Sequence, residues 1–145
     1  MPWCLGLRGD LNSLATLTHL KILNLSPSAV AGKLSSLGPL VELESLDLSS
    51  CARVTGDLSD LRAMRRSLKV LKLVGCPQIS GSLASLAPLK LLEHLDLALN
   101  PHLTGSLSSL GSLEHLTWLE LTGCTGVTGT AADLESFQVS SSASR

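Results

Sequence analysis

Four cysteines and four histidines are the side chains of this sequence best suited to bind a metal, form a disulfide or act as a nucleophile. No two cysteines form a C-x-x-C pair, and no histidine lies in an H-E-x-x-H or other ligand spacing. No G-x-S-x-G, P-loop or G-x-G-x-x-G motif occurs. The sequence therefore predicts no catalytic centre, no metal and no cofactor. The four cysteines are Cys4, Cys51, Cys76 and Cys124, and the four histidines are His19, His94, His102 and His115.

Composition narrows the classes of partner. The chain has 145 residues, a usual length for one domain, and a formal net charge of −1, which gives no support to nucleic-acid binding. No run of 18 apolar residues occurs, so we expect no membrane insertion. The first residues lack a basic stretch followed by an apolar one, so no secretory signal is expected. Leucine supplies 35 residues and tyrosine none, a bias that an ordinary core does not explain.

That leucine bias comes from an internal repeat. Six glycines are separated by 23, 24, 25, 24 and 24 residues, and the segments between them share leucines at the same offsets. A fixed period of this length is typical of a solenoid, in which each unit buries its apolar side chains against its neighbours. The glycines are Gly9, Gly32, Gly56, Gly81, Gly105 and Gly129.

Four units contain the segment L-x-x-L-x-L-x-x-N/C, as in Leu43-Leu46-Leu48-Cys51 and Leu92-Leu95-Leu97-Asn100, and the first unit departs only at the last position, which is Ser28. This segment is the signature of the leucine-rich repeat, and the chain resembles that family along nearly its whole length. The 24-residue period and the phrase "LTGSLSSL" look most like the plant-type subclass, although the G-x-I-P of that subclass is absent. The resemblance implies a non-enzymatic protein-binding module with strands on a concave face.

Backbone physics predicts the same elements. Leu46 and Leu48 alternate with polar residues, as in a strand with one buried face. Upstream leucines fall every third residue, which suits a 3₁₀ turn better than an α-helix, and Pro39 and Pro88 also oppose a long helix there. We therefore expect an α/β-type solenoid with a single parallel sheet of short strands on the concave face and 3₁₀ or irregular return segments on the convex face.

The repeat also defines the domain organisation. Residues 1–8 are interpreted as the remnant of a truncated repeat, because Cys4 lacks a preceding strand motif. Five repeats then start at residues 9, 32, 56, 81 and 105 and end at 128. Residues 129–139 are expected to form a degenerate closing repeat, and the polar residues 140–145 a disordered tail.

One structural position accounts for every cysteine. In leucine-rich repeats this position faces inward at the turn after the strand, where a thiol or an amide can bond backbone groups. Equivalent positions of adjacent repeats lie about 4.8 Å apart, slightly beyond the Cβ separation of a disulfide, and more distant pairs cannot share a zinc ion. Structural thiols are therefore favoured, with a disulfide as the alternative. The predicted turn positions are Cys4, Cys51, Cys76, Asn100 and Cys124.

The positions that the repeat leaves free are the candidate binding residues. Outward-facing strand residues should form columns across the concave sheet, with His94 and Trp118 as aromatic anchors. The alternative is a solvated face of mixed charge. A competing basic spot, Arg62, Arg65 and Arg66, lies on the return side of the third repeat. The predicted concave-face residues are Asp47, Lys72, His94, Asp96, Trp118 and Glu120.

Function follows from the resemblance. We expect a module that binds another protein, and the sequence does not define the oligomeric state. A structural subunit of a large assembly and a fragment of a receptor-type ectodomain remain alternatives. Cysteines without a pairing pattern favour a reducing intracellular or organellar compartment, while an extracellular location stays open.

Overall fold

The computed structural model describes residues 6–135, which form parallel strands in two sheets joined by short 3₁₀ helices. The fold is the predicted solenoid. The strands are β1 (Arg8–Asp10), β2 (Ile22–Asn24), β3 (Ala29–Lys33), β4 (Ser45–Asp47), β5 (Arg53–Asp57), β6 (Val70–Lys72), β7 (Ile79–Ser82), β8 (His94–Asp96), β9 (Leu103–Ser106), β10 (Trp118–Glu120) and β11 (Val127–Thr128). The 3₁₀ helices are η1 (Leu11–Leu14), η2 (Leu34–Leu37), η3 (Leu58–Met64), η4 (Leu83–Leu86), η5 (Leu107–Leu110) and η6 (Ala131–Leu134).

The five-stranded sheet contains β2, β4, β6, β8 and β10, in chain order and parallel. Each strand has a leucine at its centre, such as Leu46 or Leu71, whose side chain is fully buried. Because side chains alternate across a strand, the two residues that flank each leucine face away from the core. Pairing between strands keeps the central leucines in one row, for example Leu46 beside Leu71. This sheet is the predicted strand sheet.

The prediction of a single sheet is incomplete, because the structure contains a second one. Strands β1, β3, β5, β7, β9 and β11 form a six-stranded sheet just after the cysteine turns. The apolar residues of this six-stranded sheet are buried in the core. Their burial brings the backbones of successive repeats to strand spacing, where backbone amides and carbonyls can pair. The buried residues are Val30, Val54, Ile79, Leu103 and Val127.

The repeat glycine belongs to this second sheet. Gly81 has φ +117°, and a Cβ there would lie 2.6 Å from Oδ1 of Asp57 in the preceding repeat. Glycine is therefore required both by its backbone conformation and by the close approach of a neighbouring side chain. The regular glycine spacing in the sequence marks this contact.

The return segments contain the predicted 3₁₀ helices, and no α-helix is found in the described residues. Three residues per turn keep the leucines of each segment on one side, so that Leu34 and Leu37 are both fully buried. Asp57 caps η3 by accepting a hydrogen bond from the amide of Ser59 at 2.9 Å. η3 has seven residues, whereas the other 3₁₀ helices of the described chain have four each.

The core is one continuous column of leucines between the two sheets and the return segments. Most of its leucines are fully buried, and burial of each stabilises the fold by about 1.5–3 kcal/mol before entropy costs. No single repeat encloses these side chains. The array consequently depends on stacking between repeats, as the period predicted.

Candidate protein-binding site

Strand register aligns the outward residues of the five-stranded sheet into two columns. In the first column, His94 lies between Val70 and Trp118. In the second, Lys72 lies between Asp47 and Asp96, and Glu120 follows Asp96. Neighbouring strands lie about 4.8 Å apart, so both columns present closely spaced side chains on a firm backbone. All six predicted binding residues thus occupy one face of one sheet.

The aromatic pair in the first column forms a stacked platform. The rings of His94 and Trp118 have centroids 4.3 Å apart and an interplanar angle of 6°. Both side chains are partly buried, and contacts of this kind contribute about 0.5–1.5 kcal/mol beyond area burial. The sequence placed these residues in adjacent repeats, and their parallel pairing is what brings the rings into contact. We call this pair the His94–Trp118 platform.

Burial and the charges of the second column shift the pKa values of His94 and Asp96. Burial lowers the pKa of His94, and the positive charge of Lys72 lowers it further, although Asp96 and Asp47 oppose this. Burial also raises the pKa of Asp96, and the negative charge of Glu120 adds to that increase. The lowered pKa of His94 favours its neutral form.

A third line of charged residues precedes these strands and is largely neutralised internally. Glu44 pairs with Lys21 and with Lys69, at 3.8 Å in both cases. Between the first two return segments, Nδ1 of His19 lies 2.6 Å from Oε2 of Glu42. These exposed pairs contribute little to stability. Glu42 and Glu44 are nevertheless already paired within the chain.

The cysteine positions face the core and not the binding surface. Cys51, Cys76 and Cys124 are buried thiols. Each donates to the carbonyl oxygen of a leucine one repeat earlier, at 3.4, 3.0 and 3.0 Å respectively. Asn100 makes the equivalent bond to Leu73 at 2.7 Å. Cys4 lies outside the described residues.

Burial disfavours the thiolate form of Cys76 and Cys124. It raises the pKa of the Cys76 thiol to about 11 and also raises the pKa of Cys124. A thiolate is the reactive form of cysteine, so these groups are unsuited to nucleophilic catalysis near neutral pH. Within residues 6–135, no group of three His, Cys, Asp or Glu side chains is arranged to hold a metal ion.

The three arginines of the basic spot lie on the return side. Arg62 is within η3, and Arg65 and Arg66 follow it. The guanidinium and the amide of Arg65 both donate to the carbonyl oxygen of Arg62, at 3.4 and 3.1 Å. The structure therefore separates this spot from the columns of the five-stranded sheet.

Two apolar residues beside the basic spot were not identified from the sequence. Val41 is 51 % exposed and, with Leu91, lines an open cavity that also contains Arg66. Both residues are apolar at offsets that the repeat leaves free, and this departure was the available signal. In the described part of the chain, no helix has the length and apolarity needed to cross a membrane.

Three features together define a leucine-rich repeat protein. They are the rows of buried leucines, the two parallel sheets with one strand per repeat, and the turn position whose side chain faces the core. A family model described as "Zer-1-like, Leucine-rich repeats" matches residues 34–125, which is more than half of the chain. The chain belongs to this family of leucine-rich repeats. Proteins of this type generally act in protein–protein interaction and generally lack enzymatic activity.

Solved structures of other leucine-rich repeat proteins are similar to the chain. An internalin, InlF, from Listeria monocytogenes has a TM-score of 0.66 and 20 % identity, over 92 % of this chain and 38 % of its own. A leucine-rich repeat protein from Leptospira interrogans has a TM-score of 0.62 and 21 % identity, over 86 % and 30 %. At these identities the two structures establish the fold alone. No curated protein matches the sequence at the significance required.

A plant receptor structure has a higher sequence identity. The ectodomain of the membrane receptor kinase GASSHO1/SCHENGEN3 from Arabidopsis thaliana, in complex with CASPARIAN STRIP INTEGRITY FACTOR 2, has 26 % identity and a TM-score of 0.56. The match covers 89 % of this chain and 18 % of that ectodomain chain. This chain thus spans well under half the length of each of these three solved proteins.

Proposed function

We propose that this chain is a non-enzymatic module that binds another protein on its five-stranded sheet, with the His94–Trp118 platform as the central anchor. The observation that carries the proposal is the stacked geometry of these two rings at strand positions that the repeat leaves free. Large, rigid aromatic side chains are enriched among residues that dominate binding energy. Asp47, Lys72 and Glu120 are proposed to set specificity around the platform.

Rigidity supports the choice of this face. The platform residues are held on paired strands, and the rings already restrain each other before any partner arrives. A partner would therefore pay little side-chain entropy on docking. The likeness to a plant receptor ectodomain in complex with another molecule also supports a binding role.

Measured affinities test the proposal. A partner is isolated from the native source by affinity purification, produced recombinantly, and titrated against wild-type protein and the Trp118→Ala variant. We expect Trp118→Ala to weaken binding by at least ~2 kcal/mol, or roughly 30-fold. Changes at Lys72 or Glu120 should mainly alter the association rate and its salt dependence.

The matched control removes charge from the return side by Arg62→Gln, Arg65→Gln and Arg66→Gln together. This triple variant should retain the affinity of the sheet-bound partner. The sheet is not the binding face if the triple variant loses that partner while Trp118→Ala keeps it.

A structural subunit of a large assembly is the second candidate. Ile22 on β2 is 69 % exposed and Leu17 nearby is 46 % exposed, so an apolar surface is available beside the first strand of the sheet. Light scattering of the purified chain separates the candidates, since a subunit adapted to permanent contacts should self-associate when isolated, whereas a binding module should remain monomeric. A reducing compartment is proposed for both, in keeping with the buried thiols.

A further inference from the structure

The third return segment departs from the repeat in length and charge. η3 has seven residues, where the other described 3₁₀ helices have four. The extension brings three arginines to the end of this helix, Arg62, Arg65 and Arg66. The core does not need these arginines, because the core positions of η3 are filled by Leu58, Leu61 and Met64, all fully buried. Exposed charges that add no core contact indicate a surface role.

A groove runs beside these arginines. Two open cavities, each of about 360 Å³, share Val41 and Arg66 in their walls. One extends past Ala63 and Arg65, and the other extends toward Leu91. Val41 is 51 % exposed where the cavities adjoin. We call this feature the Val41 groove.

The floor of the groove is fixed between two repeats. Oγ of Ser67 donates to the carbonyl oxygen of Val41 at 2.9 Å, and the amide of Ser67 donates to Met64 at 3.0 Å. These bonds join the end of η3 to the preceding return segment. The neighbouring Arg66 therefore extends from a restrained backbone position at the centre of the groove.

Charge in the groove is unbalanced. Glu42 pairs with His19, and Glu44 pairs with Lys21 and Lys69. No carboxylate of the described residues pairs with Arg62, Arg65 or Arg66. Guanidinium groups bind carboxylates through two parallel hydrogen bonds, so these arginines are suited to receive acidic side chains.

We propose that the Val41 groove binds an acidic, extended segment of another protein. Carboxylates of that segment engage Arg65 and Arg66, and one aliphatic side chain packs on Val41 and Leu91. This second docking surface is separate from the five-stranded sheet and does not depend on the His94–Trp118 platform.

A protein segment fits the groove better than a nucleic acid does. Glu42 and Glu44 line the same cavity as Arg66, but they are paired with neighbouring side chains and do not distinguish one anion from another. The apolar surface of Val41 and Leu91 makes the distinction, because it has no counterpart in a phosphodiester backbone. An acidic peptide can place its carboxylates at the arginines and an aliphatic group at the centre.

Fluorescence anisotropy with a labelled peptide tests this inference. The probe is the hexapeptide Glu-Glu-Leu-Glu-Asp-Glu, and the control peptide carries glutamine and asparagine in place of every acid. Wild-type protein should bind the acidic probe and bind the neutral one at least roughly tenfold more weakly. Binding should also weaken as salt is raised, because the contacts are exposed.

Variants of the full chain locate the site. Arg65→Gln with Arg66→Gln should raise the Kd for the probe at least roughly tenfold. The matched control, Arg8→Gln with Arg53→Gln, removes the same charge from exposed positions of the second sheet and should change the Kd less than about twofold. Val41→Ser should weaken binding of the leucine-containing probe more than binding of its alanine analogue. Circular dichroism melts confirm that each variant is folded.

Three results would overturn the inference. Equal binding by the Arg65/Arg66 variant and the control variant would remove the arginines as the site. A heparin oligosaccharide or an oligonucleotide that bound the same arginines more tightly than the peptide would identify a polyanion and not a protein segment. Loss of the probe in Trp118→Ala would move the peptide to the five-stranded sheet. The proposed function is measured with the isolated partner and this inference with the acidic peptide, so failure of one proposal leaves the other measurable.

Discussion

Oδ1 of Asn100 accepts a hydrogen bond from the backbone amide of Cys76 at 2.9 Å, across one repeat. The side-chain amide of Asn100 also donates to the carbonyl oxygens of Leu73 and Leu97, at 2.7 Å in both cases. A thiol at the same position reproduces the donation but not the strong acceptance. Asn100 is fully buried, so these bonds satisfy groups that water does not reach.

The cysteine positions should therefore accept an amide better than an alkyl group. We expect Cys51→Asn to be tolerated, because the amide can still donate to Leu25, whereas Cys51→Leu overfills the turn and leaves that partly buried carbonyl unpaired at a cost of about 1–3 kcal/mol. Chemical denaturation of both variants measures the difference. An equal or larger loss for Cys51→Asn would contradict this assignment.

The ionisation of Cys76 should be visible in stability at high pH. Burial raises the pKa of its thiol from 9.0 to about 11. Between these values the unfolded chain releases the proton while the folded chain keeps it, so the stabilisation present below pH 9 is lost as pH rises toward 11. The loss should be about 2–3 kcal/mol and should disappear in Cys76→Asn. Denaturant titrations of both proteins across that range measure it, and parallel pH curves would disprove the assignment.

Backbone strain at Leu99 should be removable. Leu99 has φ +62° and is 57 % exposed, while the corresponding residue of the preceding repeat is Gly75, with φ +64°. Non-glycine residues in this region are strained by about 1 kcal/mol or more, so Leu99→Gly should raise the free energy of unfolding by about that amount. Gly75→Ala should lower it by a similar amount, although its Cβ would meet no atom within 4 Å. Thermal melts in which both variants are destabilised would show that Leu99 is held by packing.

The contribution of His94 in the His94–Trp118 platform to the free energy of unfolding should depend on pH. The pKa of His94 is lowered by burial and by Lys72, so the unfolded chain takes up a proton at a higher pH than the folded chain does. The stabilising contribution of neutral His94 is complete above about pH 6.5 and is lost as pH falls through the lowered pKa. NMR titration should give a midpoint below that of a model histidine. Trp118→Ala should move the midpoint upward by exposing the ring, and a midpoint unchanged by that substitution would contradict the burial explanation.

Parts of this fold and site follow directly from sequence. The columns that contain Lys72 and His94 were predictable, because period-two alternation fixes which strand residues face outward and a constant repeat length fixes their register. The ring contact between His94 and Trp118 depends on rotamers, which the pattern does not specify. The spacing of 25 residues between Gly56 and Gly81 indicates a longer repeat, but not that its 3₁₀ helix is the element that lengthens.

The second sheet was harder to predict. Its strands are short and contain glycines such as Gly56 and Gly81, which are unfavourable in isolated strands. The paired residues become strands only when stacking brings successive repeats to hydrogen-bonding distance. Tertiary contact therefore decides these elements, and Val54 or Ile79 alone gives a weak local signal.

The bond that each turn side chain makes to the preceding repeat has an evolutionary consequence. Cys76 reaches back to Leu48 and Asn100 reaches back to Leu73, so these two junctions join the same two positions of the repeat. Deletion of residues 56–80 would leave Asn100 one repeat from Leu48, with its donor and acceptor still matched. Unequal recombination could thus shorten or lengthen the gene by whole units and still encode a folded product. Such an event would place His94 beside Ser45, creating a new binding surface in a single genetic step.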